Sequence, residues 1–127
     1  PALASDRDDV QATIERAYID GVHRQRDGDL MRSGFHESFT MSVLRDGQLA
    51  LVSRDDWIER IESWKTEQPV LDYETTWRLT QLDVTGDVAV ARVEVDRDGT
   101  LQFTDYLSLY RFGDGWKIVA KLFASHS

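Results

Sequence analysis

The sequence predicts an α+β fold, with helices in the first half and antiparallel strands in the second. Three observations predict it. Apolar residues recur at helical spacing at Val10, Ile14, Ala17, Tyr18, Gly21 and Val22. From Tyr73 onward, segments of strand length alternate or run apolar. Turn signals divide those segments at Gly86-Asp87, Asp98-Gly99 and Gly113-Asp114-Gly115.

The elements follow in order. Pro1 to Asp6 reads as a frayed end, and Ser5 with Asp8 marks the start of a helix. The helix runs to about Arg26, where Asp27-Gly28-Asp29 turns the chain. Its apolar stripe leaves His23 on the solvent side. Leu30 to His36 is a shorter second helix, with Leu30, Met31 and Phe35 turned inward. Phe39 to Leu44 alternates as a half-buried strand does, Asp46-Gly47 turns it, and Gln48 to Val52 returns. Ser53 is an N-cap, and Asp55 and Asp56 suit the positive end of a helix dipole. Trp57, Ile61 and Trp64 give the third helix its inner face, to about Thr66, and Pro69 blocks its continuation. Four strands close the chain: Tyr73–Leu82, Val88–Val95, Leu101–Phe112 and Trp116–Phe123. The expected architecture is a cone-shaped, curved, mixed or antiparallel sheet with three helices over its concave face. It forms one domain over 1–127, with an ordered core of about 6–124.

Composition removes several functions. Among 127 residues there are 23 acidic and 15 basic side chains, a formal charge of −8. That balance opposes nucleic acid and anionic lipid alike. No cysteine is present, so disulfides, thiolate nucleophiles and cysteine metal sites are excluded. The histidines at 23, 36 and 126 match no metal-ligand spacing, and no metal or cofactor is called for. No glycine-rich phosphate loop occurs, and Ser33, Ser38 and Ser108 lie in no nucleophile elbow. No stretch is apolar enough to span a membrane, and the first residues do not read as a signal peptide, so the expected location is cytoplasmic.

Three stretches carry a family resemblance: Tyr18-Ile19-Asp20-Gly21; Phe35-His36-Glu37-Ser38-Phe39; and Phe103-Thr104-Asp105-Tyr106-Leu107-Ser108-Leu109 with Gly115-Trp116-Lys117-Ile118-Val119-Ala120-Lys121-Leu122-Phe123. From about Asp8 to Phe123 the chain resembles the nuclear-transport-factor-two-like, or SnoaL-like, superfamily. It is most similar to the branch described as putative lumazine-binding. The resemblance implies a cystatin-like or ketosteroid-isomerase-like roll with a ligand cavity, often homodimeric through the outer sheet face. In the isomerase branch a helix-one tyrosine, matched by Tyr18, donates to a developing oxyanion. The carboxylate base of that branch falls at about Val43 here, which cannot take a proton and so argues against steroid-type isomerisation. The second oxyanion donor falls near Ser108, with Asp105 close by on the strand.

Each candidate residue has a chemical and a structural role open to it. Tyr18 either offers its hydroxyl to a ligand carbonyl or is a core tyrosine with a satisfied hydroxyl. His36 either transfers protons near neutrality or caps helix carbonyls. Asp105 interrupts an apolar strand and needs a partner if buried; Lys121 is the obvious one. With a three-residue hairpin loop, Phe112 faces Trp116, and Asp105 and Lys121 are diagonal neighbours on one face. With Asp114-Gly115 as the turn, Lys121 faces Ser108 instead. Trp57 and Trp77 are candidate cavity walls, with Phe39, Tyr73, Ser108 and Lys121 as further ligand contacts. Tryptophans also simply fill small cores.

Three functions follow. The first is a binder of an unidentified small molecule, a flat heteroaromatic or polycyclic ligand held by aromatic walls. The second is a cofactor-independent isomerase, dehydratase or cyclase using Tyr18 with His36 or Asp105. The third is a dimerising module with an unused cavity. A homodimer through the outer sheet face is expected because the late strands are apolar on both faces.

Overall fold

The computed structural model describes residues 4–126. The expected frayed end therefore lies partly outside the described residues, and from Ala4 the chain is already helical, with Ser5 inside the first turn. Helix α1 (Ala4–Thr13) runs directly into a π-wound segment (Ile14–Arg24). The wider winding is visible at its end, where Gln25 N–H donates to Asp20 O at 2.7 Å. Arg26 then takes a positive φ of 52°. Helix α2 (Gly28–Gly34) follows, capped by Asp27, whose carboxylate accepts from the N–H groups of Asp29 and Leu30. Gly34 lets α2 cross the π segment closely, because a Cβ there would collide with that of Ala17.

Strands β1 (Phe35–Arg45) and β2 (Gln48–Ser53) form a hairpin over the Asp46-Gly47 turn. Ser53 caps α3 (Arg54–Glu67) by accepting from the Asp56 N–H at 3.2 Å. Beyond α3, Arg26 donates to the Gln68 and Pro69 carbonyls, at 2.6 and 3.1 Å, which ties the helix end to the π segment. Strands β3 (Thr75–Thr85), β4 (Val88–Arg97), β5 (Thr100–Phe112) and β6 (Gly115–Ser125) complete one six-stranded sheet, in the order β2-β1-β6-β5-β4-β3. The β1–β6 pairing is parallel, and the other neighbours are antiparallel. The sheet is curved and unclosed, and the helices pack against it to give the α+β architecture.

Alternation decides which face each side chain meets. Val93, Val95, Leu107, Leu109 and Ile118 are buried beneath the helices. Each such side chain contributes about 1.5–3 kcal/mol by leaving water. The opposite face exposes Val90, Tyr106, Tyr110 and Leu122.

The last hairpin turns on two residues, Gly113 and Asp114, with Phe112 opposite Gly115. This is neither of the two loops the sequence suggested. Between Leu109↔Ile118 and Ser108↔Ala120 the register slips by one, so Val119 is an unpaired extra residue. Beyond that bulge Leu107 faces Lys121 and Asp105 faces Phe123. The bulge thus restores the pairing that a three-residue loop would have given. Among the described residues no helix is long and apolar enough to cross a membrane.

Candidate functional site

A cavity of about 180 Å³ lies between the π segment, α3 and the sheet. Trp57, Ile61 and Trp64 reach it from α3, and Tyr18, Val22 and His23 from the π segment. Phe103, Phe123, Arg97 and Lys121 come from the sheet. Its walls are thus largely aromatic, with a few polar groups, the usual composition of a ligand site.

Beside the cavity sits a buried polar cluster. Tyr18, wholly buried, donates its hydroxyl hydrogen to Asp105 Oδ2 at 2.5 Å. Asp105 Oδ1 lies 3.8 Å from Lys121 Nζ, an ion pair longer than a hydrogen bond. Three rings surround the same ammonium group, those of Tyr18, Trp57 and Phe123, with centroids 4.6, 4.7 and 4.8 Å away. Such rings offset part of the cost of holding a cation out of water. Burial pushes the Asp105 carboxyl up from its ordinary range, against the pull of Lys121 and the Tyr18 hydrogen bond. Burial, then the Asp105 charge and hydrogen bond, raise the Tyr18 phenol well above its usual value, so it stays a donor. Burial also lowers Lys121, with Asp105 opposing.

His23 is the residue the sequence reading misplaced. Five residues of α-helix turn a side chain about 140° from its starting direction, at 3.6 residues per turn. The π winding brings positions five apart together instead. The His23 ring therefore sits edge-on to Tyr18, with centroids 4.9 Å apart, and is only 5% exposed. Neither ring nitrogen has a hydrogen-bond partner among the described residues. Burial, then the charges of Lys121, Arg97 and Arg24, hold its pKa well below the ordinary value, so it is a neutral imidazole. Arg97 was also not singled out in the sequence. Its guanidinium lies against Tyr73 at 4.5 Å and Phe103 at 5.5 Å. Its Nε has no partner, and among the described residues it forms no ion pair.

The other sequence candidates are distributed as follows. Tyr18, Asp105, Lys121 and Trp57 come together at the cavity. Phe39 stacks behind Trp57, 5.5 Å away between centroids, as a second layer. Tyr73 stands outside Arg97, half-buried. Trp77 is not part of the cavity lining, and its indole N–H donates to Glu15 of the π segment at 3.3 Å. Ser108 alternates with the inward Leu107 and Leu109, which places it on the outer face of β5. His36 lies away from the cluster, stacked on Phe112 at 4.4 Å, with Nδ1 2.7 Å from the Ser38 hydroxyl. It neither meets Tyr18 nor caps α2, whose last carbonyls precede β1.

The chain matches the family model described as putative lumazine-binding over residues 5–124. No match is found among curated proteins. Among solved structures, it is similar to an NTF-2-like protein of unknown function from Silicibacter pomeroyi, at TM-score 0.79 and 21% identity over 99% of this chain and 100% of that one. An NTF2-like protein of unknown function from Shewanella baltica matches at TM-score 0.79 and 19% identity, over 100% and 98%. A third, from Methylobacillus flagellatus, matches at 0.73 and 24%, over 99% and 96%. These likenesses establish the fold. The family match runs across nearly the whole chain, and by it the protein belongs to the family described as putative lumazine-binding.

Proposed function

We propose that the protein binds a flat heteroaromatic small molecule of one or two rings in the cavity beneath α3. The observation that carries this reading is the cavity's lining. Aromatic side chains of Trp57, Trp64, Phe103 and Phe123 surround polar groups with no partner among the described residues, notably both ring nitrogens of His23. Unpaired buried polar atoms are costly unless something occupies them. A volume of about 180 Å³ is below the ~300–1,000 Å³ of sites for drug-sized ligands, which favours one or two rings over a polycycle. The family description points the same way, since lumazine is a bicyclic pteridine. Thermal-shift measurements with lumazine and other one- and two-ring heteroaromatics test it. Saturable stabilisation that weakens in Trp57→Ala is expected. A set of such compounds that leaves Tm unchanged would overturn it.

A second reading, cofactor-independent isomerase, dehydratase or cyclase chemistry, is favoured by one contact: the 2.5 Å hydrogen bond from Tyr18 to Asp105. The contact sets a phenol and a carboxylate as a proton-sharing pair beside the cavity, and the phenol would stabilise a developing oxyanion by turning its one hydrogen from Asp105 to the ligand oxygen. Turnover lost in Tyr18→Phe while ligand binding persists would distinguish this from simple binding.

The protein is further proposed to form a homodimer through the outer sheet face. There Val90, Tyr106, Tyr110 and Leu122 expose apolar surface on adjacent strands, continued by Leu44, Leu49 and Leu51 on β1 and β2.

A further inference from the structure

We infer that the ligand is an acid, a flat aromatic or heteroaromatic molecule whose anionic group is held by Lys121 and Arg97. The inference rests on the binding reading above and names the ligand's charge.

The protein as a whole is acidic, at −8, yet no aspartate or glutamate lines the cavity, while two cations do. Lys121 Nζ makes no hydrogen bond among the described residues, and its carboxylate partner stands 3.8 Å away. That partner accepts the Tyr18 proton at Oδ2, while its Oδ1 faces the ammonium without a hydrogen bond of its own, and the carboxyl group is not part of the cavity lining. The ammonium is thus compensated from behind and retains donors toward the hollow. Arg97 is braced by the rings of Tyr73, Phe103 and Trp64, with centroids 4.5, 5.5 and 5.9 Å away, and these contacts leave the in-plane donors of the guanidinium free. A planar fork of donors and an ammonium in one apolar hollow match a carboxylate or an ionised enol. His23 adds selectivity. A neutral imidazole offers one donor and one acceptor, so it can bind a ring edge without adding a charge. In so apolar a hollow an anion with these partners is held far more strongly than a neutral isostere, which leaves the cations unpaired.

The experiment compares isosteres that differ only in charge: indole-3-carboxylate against indole-3-carboxamide, with lumazine as a further probe, by calorimetry at fixed ionic strength. The carboxylate is expected to bind at least tenfold more tightly than the amide. Arg97→Gln and Lys121→Met are each expected to reduce that ratio toward one. Arg97→Gln is the decisive variant if Lys121→Met fails to fold. Equal or tighter binding of the amide overturns the inference but leaves the binding reading intact. So does binding of lumazine with no binding of the carboxylate. A carboxylate preference that neither substitution changes overturns the assignment to these two cations. If none of the three compounds binds, both the inference and the reading beneath it fall.

Discussion

Lys121 Nζ lies 3.8 Å from Asp105 Oδ1, its diagonal neighbour on the inner face of the β5–β6 pair, because Val119 bulges out of β6. Without that extra residue the two-residue turn would pair Lys121 with Tyr106, on the outer face. One backbone irregularity therefore decides whether the cavity carries an ammonium group. The pair is buried, with Asp105 0% and Lys121 6% exposed, the latter at the cavity wall. Removing one partner of such a pair costs more than removing both, since a lone buried charge is left behind.

Lys121→Met is expected to destabilise the fold by about 3–5 kcal/mol. Adding Asp105→Asn should recover a large part of that loss. Urea unfolding of both single variants and the double variant measures the coupling. Additive effects would show that the two groups do not compensate each other.

Tyr18→Phe leaves Asp105 Oδ2 without its donor and is expected to cost about 1–3 kcal/mol. The hydrogen bond pulls the Asp105 pKa down, so its loss should move that already raised pKa further up. A carboxyl raised in the folded state stabilises below its unfolded pKa, and that stability is lost as pH rises through the folded value. The deficit of Tyr18→Phe should thus be larger at pH 7 than at pH 4. Carbon-13 carboxyl NMR of Asp105 with unfolding at both pH values checks it.

His23 gives the opposite slope. Its folded pKa is held well below the unfolded value, so its contribution is present above about 6.5 and is lost as pH falls. Between about 6.5 and the depressed folded value the unfolded chain binds the extra proton. This group's share of stability should fall there by about 1.4 kcal/mol per pH unit. The difference in unfolding free energy between the native chain and His23→Phe, measured from pH 7 to pH 5, should narrow or widen by that slope. A pH-independent difference would place His23 in water.

The outer sheet face predicts association. Sedimentation should give a mass of twice 14.6 kDa. Leu122→Lys, adjacent to Tyr106 across the β5–β6 ladder, should weaken the dimer by about a hundredfold or more, since it removes a large apolar side chain from both protomers. An unchanged association constant would move the interface elsewhere.

Much of the fold was legible in the sequence because its signals are local. The Ser53 cap, the turns at Asp46-Gly47, Gly86-Asp87 and Asp98-Gly99, and the helix of Trp57, Ile61 and Trp64 all stand where their chemistry puts them. What escaped was set by winding and register. A stripe drawn at 3.6 residues per turn puts His23 in solvent, whereas the π segment turns it beneath Tyr18. The Val119 bulge has no signature among β-branched neighbours, so the sequence left the Asp105–Lys121 pairing as one of two alternatives. Arg97 escaped because an arginine next to an Asp-Gly turn reads as a solvated end. Its place in β4, two residues past the inward Val95 whose ladder partner is Phe103, sets it against Phe103 and Tyr73.

The most direct test of a ligand site beneath α3 is the ring-nitrogen NMR spectrum of His23 during titration with one- and two-ring heteroaromatics, charged and neutral. A saturable shift of both imidazole nitrogens at one equivalent, absent in Trp57→Ala, is the expected result. Imidazole resonances that no compound moves, while the same compounds perturb residues elsewhere, would contradict it.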